Sequence, residues 1–382
     1  MLNSLVQFYN NSHRVYLLIA ALVSTLFFIS IGSKVLTETD HRQHDFRVYY
    51  YSADAYFNHQ LNPYNVADLN QVSPFHLEWR FAYPPLCLSI FNAYTALDYL
   101  TAYHLHFLLK CLAFIFLLYI WVRFFLHGHQ AVALAFILSC FAFHQSVSID
   151  MLTGNISIFE QALLFWGLSC LLQKKYTPYC IAIICLSCFK VLPLAFLILP
   201  FLITPSLHSF LILPIGLLSF LGIQYVSFTL DPHLYHYFLT HMAPMDSTGF
   251  VNPSSLAFFK ETIEPWLPNT IFLALYSLFI VSICILTLRA YLRHRTKAPA
   301  WMIIDGFILT FCLLAPRLKD YSFIILIIPA VHVCLHAVSK RSFRILLILL
   351  LCVSLWPYHH FFALLLLWVL LLRHLSTLTK EH

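Results

Sequence analysis

The chain has 382 residues, of which 60% are hydrophobic and 10% charged, with a mean hydropathy of +0.79. A water-soluble protein carries about a quarter charged residues, so a soluble domain is excluded. The net charge of +6 comes from Lys and Arg scattered at the ends of apolar runs, a pattern that sets membrane orientation and forms no nucleic-acid patch.

The first apolar run, 15–34, follows a polar head whose one fixed charge is Arg14. It outlasts the ~7–15 apolar residues of a signal-peptide core and reads as a retained helix. The polar segment 36–83 comes next, then apolar runs at 84–98, 103–126, 131–149, 156–172, 179–203 and 207–230. A second polar segment, 231–268, separates these from runs at 269–289, 300–315, 321–338, 344–356 and 361–373. Runs this continuously apolar satisfy their own backbone hydrogen bonds as helices, whereas a barrel strand would alternate. The expectation is an all-α polytopic membrane protein, one transmembrane domain over 1–382 with about ten to twelve crossings of a ~30 Å hydrocarbon core. The two polar segments are long for loops in a compact bundle, so short helices and function are expected in them.

Orientation follows from the loops 289–297 and 339–344, which carry Arg289, Arg293, Arg295, Lys297, Lys340, Arg341 and Arg344 and no acid. Such loops belong on the cytoplasmic side. Segments 36–83, 231–268 and 316–320 then lie outside, and they hold eleven of the sixteen acidic residues, so the chemistry is expected there. By the same rule Lys174 and Lys175 belong in the cytoplasm, whereas counting every apolar run as a full span puts them outside. Two features repair the parity: 84–98 is short for a span, and Lys190 with Pro193 divides 179–203 into two half-helices. A broken helix at membrane depth is tolerated where it is buried in protein or lines a wet cavity.

Charged residues inside apolar runs are the next signal. Lys190, well inside a span, costs ~2.5–3.5 kcal/mol on insertion scales, so an anion, a carboxylate or a cavity is expected beside it. Lys110 and Glu160 also lie within apolar runs and either pair with another helix or snorkel. Arg317 and Lys319 flank Leu318 just after a proline at an outer boundary, where they either hold an anion or snorkel. Arg47 is a further cation of the outer face, read as exposed. Asp150 and Asn155 sit at a helix junction; they hydrogen-bond a ligand's hydroxyls, or Asn155 caps the helix after Gly154. Tyr49, Tyr50 and Tyr83 either stack on a ligand or belong to an interfacial aromatic belt.

The eleven cysteines fall in or beside apolar runs, so no outer disulfide framework is expected. Cys180, Cys185 and Cys188 lack a spaced His or acid and read as small helix filling. His127 with His129, and His359 with His360, lack a carboxylate at ligand spacing, so no zinc site is expected. A divalent ion on Asp40 with Asp45 is the arrangement that oxygen ligands would allow, but the expectation is no cofactor and no metal.

Several segments together resemble glycosyltransferase family 87. These are DFRVYYYSADAYFNHQLNPYN (45–65), FAYPPLCLSIFNAYTAL (81–97), LTGNIS (152–157), FKVLPL (189–194), VNPSSL (251–256) and APRLKDY (315–321). Each motif alone is weak, and their order over roughly residues 40–330 is what carries the resemblance. Asn155 stands where the family commonly has Gln, Ser157 where it has Asn, and Asp320 where a His often precedes the Tyr. The resemblance implies a GT-C-like bundle that takes mannose or a related sugar from a polyprenyl-phosphate carrier. It implies a glycolipid or glycan acceptor and a bacterial inner-membrane location with the site on the periplasmic or outer side. It further implies that Asp45 is the catalytic base and that Asn252 lies in a sugar- or acceptor-binding loop.

Chemistry agrees with Asp45: inverting transfer needs one carboxylate to take the acceptor proton, because a phosphate departs as a stabilised anion without an acid. Asp40 is the competing acid. Lys190, Arg317, Lys319 and Arg47 are candidates for the donor phosphate, and Tyr49, Tyr50, Tyr83, Asn155 and Asn252 for sugar or acceptor. With eight glycines and no Gly-x-x-x-x-Gly-Lys or Gly-x-Gly-x-x-Gly stretch, a nucleotide-sugar donor is disfavoured against a lipid-borne one. The rival reading is a polytopic transporter or lipid flippase, which would use the broken helix and Lys190 as a pathway; no second copy of the acid-rich first loop supports it. A non-catalytic assembly protein is the third reading, and it would lack a deep polar pocket at Asp45.

Overall fold

Nearly every apolar stretch of the sequence folds as helix. The computed structural model describes residues 2–37, 43–241, 252–351, 356 and 358–377. Its helices are α1 (Leu2–Thr37), α2 (His44–His59), α3 (Val66–Val72), α4 (Pro85–Asn92), α5 (Tyr99–Ile120), α6 (His129–Phe141), α7 (Ser146–Thr153), α8 (Ser157–Leu172) and α9 (Tyr176–Phe189). They continue as α10 (Leu199–Ile203), α11 (Leu207–Leu230), α12 (Pro232–His241), α13 (Ser255–Thr262), α14 (Asn269–His294), α15 (Ala300–Leu314), α16 (Ile327–His332), α17 (Lys340–Leu351) and α18 (His359–Thr377). No strand occurs among the described residues, and the protein is an all-α polytopic membrane protein.

Six helices among the described residues are long and apolar enough to cross a bilayer: Val15–Thr37, Tyr99–Phe125, Leu207–Leu230, Asn269–His294, Asp320–Ala337 and His359–Thr377. The pair around Phe141 and Phe143, bent by 53°, makes a seventh if it counts as one span. The other long apolar runs form shorter helices of 10–17 residues, too short at ~1.5 Å per residue to cross a ~30 Å core unaided. The ten to twelve expected crossings are reached only by counting these. Residues 84–98 form the short α4 and a tighter turn, Ala93–Ala96.

The chain divides into two compact units of interleaved segments. The first-loop unit comprises Ile31–Leu118 and Asp150–Asp246, and the late-chain unit comprises Met1–Ser30, Tyr119–Ile149 and Ser247–His382.

In the first-loop unit, the polar segment after α1 folds as α2 and α3, with α2 ending at Gln60 in a left-handed conformation (φ 57°). Pro85 at the first position of α4 suits a helix start, where the missing N–H has no partner to lose. The antiparallel hairpin of α8 and α9 is closely packed, since a Cβ on Gly167 would lie 3.0 Å from the Ala182 Cβ. Helix α9 stops at Lys190, whose backbone is extended (φ −138°, ψ 127°), and the chain resumes as a tight helix from Leu192 with Pro193 in its first turn. The break expected at Lys190 is there. Ile184, Cys188 and Phe220, with Leu86 and Leu194, form a buried cluster joining α9, α11 and α4.

In the late-chain unit, α15 packs on α18, where a Cβ on Gly306 would lie 3.7 Å from Leu371 Cδ2. The second polar segment supplies α12 to the first-loop unit and α13 to the late-chain unit. Three side chains at the start of α13 clip it to the turn after α15. Asn252 Oδ1 accepts from Leu318 N at 2.8 Å, Ser254 Oγ donates to the Pro316 carbonyl at 2.8 Å, and Ser255 Oγ donates to the Leu313 carbonyl at 2.8 Å.

Candidate active site

Asp45 lies half-buried in the first turn of α2, where the helix dipole favours a negative charge. Its Oδ2 accepts a 2.9 Å hydrogen bond from Asn155 Nδ2. The same nitrogen is 3.0 Å from the Tyr49 hydroxyl, while Asn155 Oδ1 accepts from both the N–H and the hydroxyl of Ser157 at 3.0 Å. With the amide oxygen facing two donors, the nitrogen has to face the carboxylate. Asp45 and Tyr49, four residues apart on α2, share one helix face.

The network continues from Tyr49. Its hydroxyl is 3.1 Å from that of Tyr83, which burial and then the nearby Glu160 charge push well above the usual tyrosine range, so Tyr83 stays a neutral phenol. Lys190 Nζ lies 5.9 Å from the Tyr83 ring centroid and 2.7 Å from Glu160 Oε2. The Ser157 hydroxyl is 3.4 Å from the same Glu160 oxygen. A polar chain thus runs from the Asp45 carboxylate to the Lys190 ammonium. Glu160 Oε1 is buried with no hydrogen-bond partner among the described residues.

Local sequence explains why these groups meet. Gly154 has φ +71°, and a Cβ there would sit 2.6 Å from the Phe46 Cβ, so only glycine brings this turn against the residue next to Asp45. From α5, His106 Nε2 donates to the Gly154 carbonyl at 3.0 Å, and its ring stacks on Phe46 at 4.7 Å. One turn further along α5, Lys110 Nζ lies 2.8 Å from Asp150 Oδ2, both side chains being 0% exposed, and also bonds the Asp150 carbonyl. Asp150 Oδ1 in turn accepts from Ser157 N at 3.0 Å. The turn that carries Asn155 is therefore held from two sides. Lys190 meets Glu160, 30 residues away in sequence, because the α8–α9 hairpin returns the end of α9 to the start of α8.

The other expected residues take different places. Arg47, read as exposed, is buried and stacks its guanidinium 3.9 Å from the Phe75 ring centroid; two residues on from Asp45, it leaves α2 on the opposite side. Tyr50 donates its hydroxyl to the Leu97 carbonyl at 2.7 Å. Asn155 spends its amide on protein groups, and Asp150 is locked to Lys110. Asn252, Arg317 and Lys319 belong to the late-chain unit, where Asn252 braces Leu318, Arg317 is exposed and Lys319 half-buried. Asp40, and with it the Asp40–Asp45 ion site, falls outside the described residues. No group of three metal-ligating side chains gathers among the described residues. Sequence reasoning assigned Glu160 and Ser157 no part in the site; an acid inside an apolar run was the available signal for Glu160.

The profile of glycosyltransferase family 87 matches residues 81–316. The chain belongs to glycosyltransferase family 87. No curated protein and no solved structure matches it. As a family 87 member it is a membrane glycosyltransferase with a sugar donor and an acceptor. The matched stretch includes Tyr83, Asn155, Glu160, Lys190 and Asn252; Asp45 precedes it, and Arg317 and Lys319 follow it. What ties Asp45 to the matched part of this transferase is its hydrogen bond to Asn155.

Proposed function

We propose that this family 87 enzyme transfers a hexose, mannose on the family resemblance, from polyprenyl phosphate to a glycolipid or glycan acceptor on the outer side of a bacterial inner membrane, with inversion. Asp45 removes the proton from the acceptor hydroxyl as that oxygen bonds to the anomeric carbon; the bond to the phosphate oxygen breaks, and the phosphate leaves with the electron pair. Lys190 offsets its charge. Tyr49 and Tyr83 shape the sugar end, and Glu160 Oε1, buried without a hydrogen-bond partner among the described residues, is the acceptor for a sugar hydroxyl. Arg47, stacked on Phe75, braces the first loop in this scheme.

The observation that carries the reading is the Asn155 amide, which holds the Asp45 carboxylate in a network that reaches the Lys190 ammonium. A groove of about 450 Å³ in the same unit, bordered by Leu86, Ile223, Val226 and Leu230, is a suitable bed for an isoprenoid tail. The test is incubation of purified protein with radiolabelled polyprenyl-phosphate mannose and a membrane lipid extract. Wild type should move label, and Asp45→Asn should lose about 10²–10⁴ of the rate while expressing normally. Full activity in Asp45→Asn removes Asp45 from the mechanism, and no transfer by wild type removes mannosyl phospholipid as the donor.

A further inference from the structure

A second polar cavity, within the late-chain unit, shares no residue with the Asp45 network. It encloses about 520 Å³, a size suited to a small molecule. Four imidazoles line it, from His127, His129, His332 and His336, together with Trp301. Two wide π-type turns, Trp121–Phe125 and Val333–Ala337, contribute to its wall; such turns interrupt regular helix and concentrate at functional sites.

His332 fixes the inner wall. Its Nε2 donates to the Phe125 carbonyl at 2.9 Å, its Nδ1 lies 2.6 Å from Asp305 Oδ2, and the Trp301 ring centroid is 4.7 Å away. The Asp305 carboxylate is thereby committed to His332, and the lining itself contains no acid. The start of α6 adds to this character: residues Gly128–Ala131 border the cavity, Gly128 provides no side-chain cap, and the first turn carries no acid. Its leading N–H groups and the positive end of the helix dipole suit an anion. In sequence, Trp301 and His336 each lie a few residues from the basic segments 289–297 and 339–344. A cation is a poor fit, since no three ligating groups converge here among the described residues.

We propose that this cavity binds a phosphate monoester, presented either as an anionic phospholipid headgroup or as a soluble metabolite. Imidazoles and backbone amides donate to the phosphate oxygens, and the volume beyond the phosphate receives the esterified group. The site stands apart from the transfer reaction and does not rest on the role given to Asp45.

The test uses full-length protein in neutral-lipid nanodiscs, titrated with glycerol phosphate, and in parallel discs containing phosphatidic acid. Calorimetry reads the soluble ligand, and melting temperature reads both. Saturable binding of the soluble ester alone identifies a metabolite site, a melting rise with phosphatidic acid alone identifies a lipid site, and either supports the proposal. The triple variant His127→Ala/His129→Ala/His336→Ala, changed only at exposed side chains, should bind at least about tenfold more weakly, as expected when charge-assisted hydrogen bonds are lost. His129→Glu, which places a carboxylate in the first turn of α6 without disfavouring the helix, should abolish binding with an unchanged ligand-free melting temperature. Absence of any response to either probe in wild type, or equal affinity in wild type and His129→Glu, overturns the proposal.

Discussion

Asn155 uses both ends of its amide, its oxygen turned to Ser157 and its nitrogen to Asp45 and Tyr49. It acts on the reaction through Asp45. Replacement by leucine preserves volume and removes the donor, leaving Asp45 free to turn away from its working position. Asn155→Leu should lower kcat about 10- to 100-fold with KM little changed, a fraction of what a positioned general base contributes, and steady-state kinetics would read the split. The Glu160–Lys190 pair is different in kind. Lys190 keeps 36% of its side chain exposed, so solvent screens the pair and little stability rides on it. Glu160→Gln should accordingly leave the melting temperature nearly unchanged and weaken transfer, measured on the same preparation; unaltered transfer would show that the unpartnered Oε1 does not meet the sugar.

At the scale of elements, the turn between α7 and α8 matters most, because it carries Asn155 and is fixed by α5 and α2. Gly154→Ala would place a Cβ 2.6 Å from the Phe46 Cβ at φ +71°. The left-handed backbone alone costs about 1–3 kcal/mol, and relief of the overlap requires α2 to retreat with Asp45. Both a lower melting temperature and loss of transfer are expected. The Lys110–Asp150 pair fixes the same turn from α5 with no exposure of either side chain. Lys110→Met leaves a buried carboxylate alone and should cost about 3–5 kcal/mol, while adding Asp150→Asn should restore much of it. A double variant no more stable than Lys110→Met would show that the two residues act separately.

For the whole molecule, the proposed transfer on the outer side requires one orientation, which the charge asymmetry of the loops supports. The segments 289–297 and 339–344 hold basic residues without acids, so both are assigned to the cytoplasm. A reporter that is active only in the cytoplasm should work when fused after Lys297, and one that requires export should work when fused within 60–65. The opposite result would put Asp45 on the cytoplasmic side and move the proposed transfer to that face. Neither fusion depends on the enzyme being active.

Hydropathy and charge in the sequence by themselves determined the membrane class, the all-helical fold, the break at Lys190 and the polar segment that bears Asp45. Each of these follows from local chemistry: an apolar run in lipid has to satisfy its own backbone, and a lysine followed by proline cannot sit in an unbroken apolar helix without cost. Only the tertiary structure decided which charges pair. Lys190 meets Glu160 because α8 and α9 double back, Lys110 meets Asp150 because α5 packs against a distant turn, and Asn155 reaches Asp45 across a glycine that tolerates close approach. Arg47 misled for the same reason, since its direction depends on the face of α2 that Asp45 and Tyr49 occupy. Composition also does not register where an apolar run stops short and turns, as it does at Lys190. Pairing at long sequence separation is a property of packing, and no window of residues contains it.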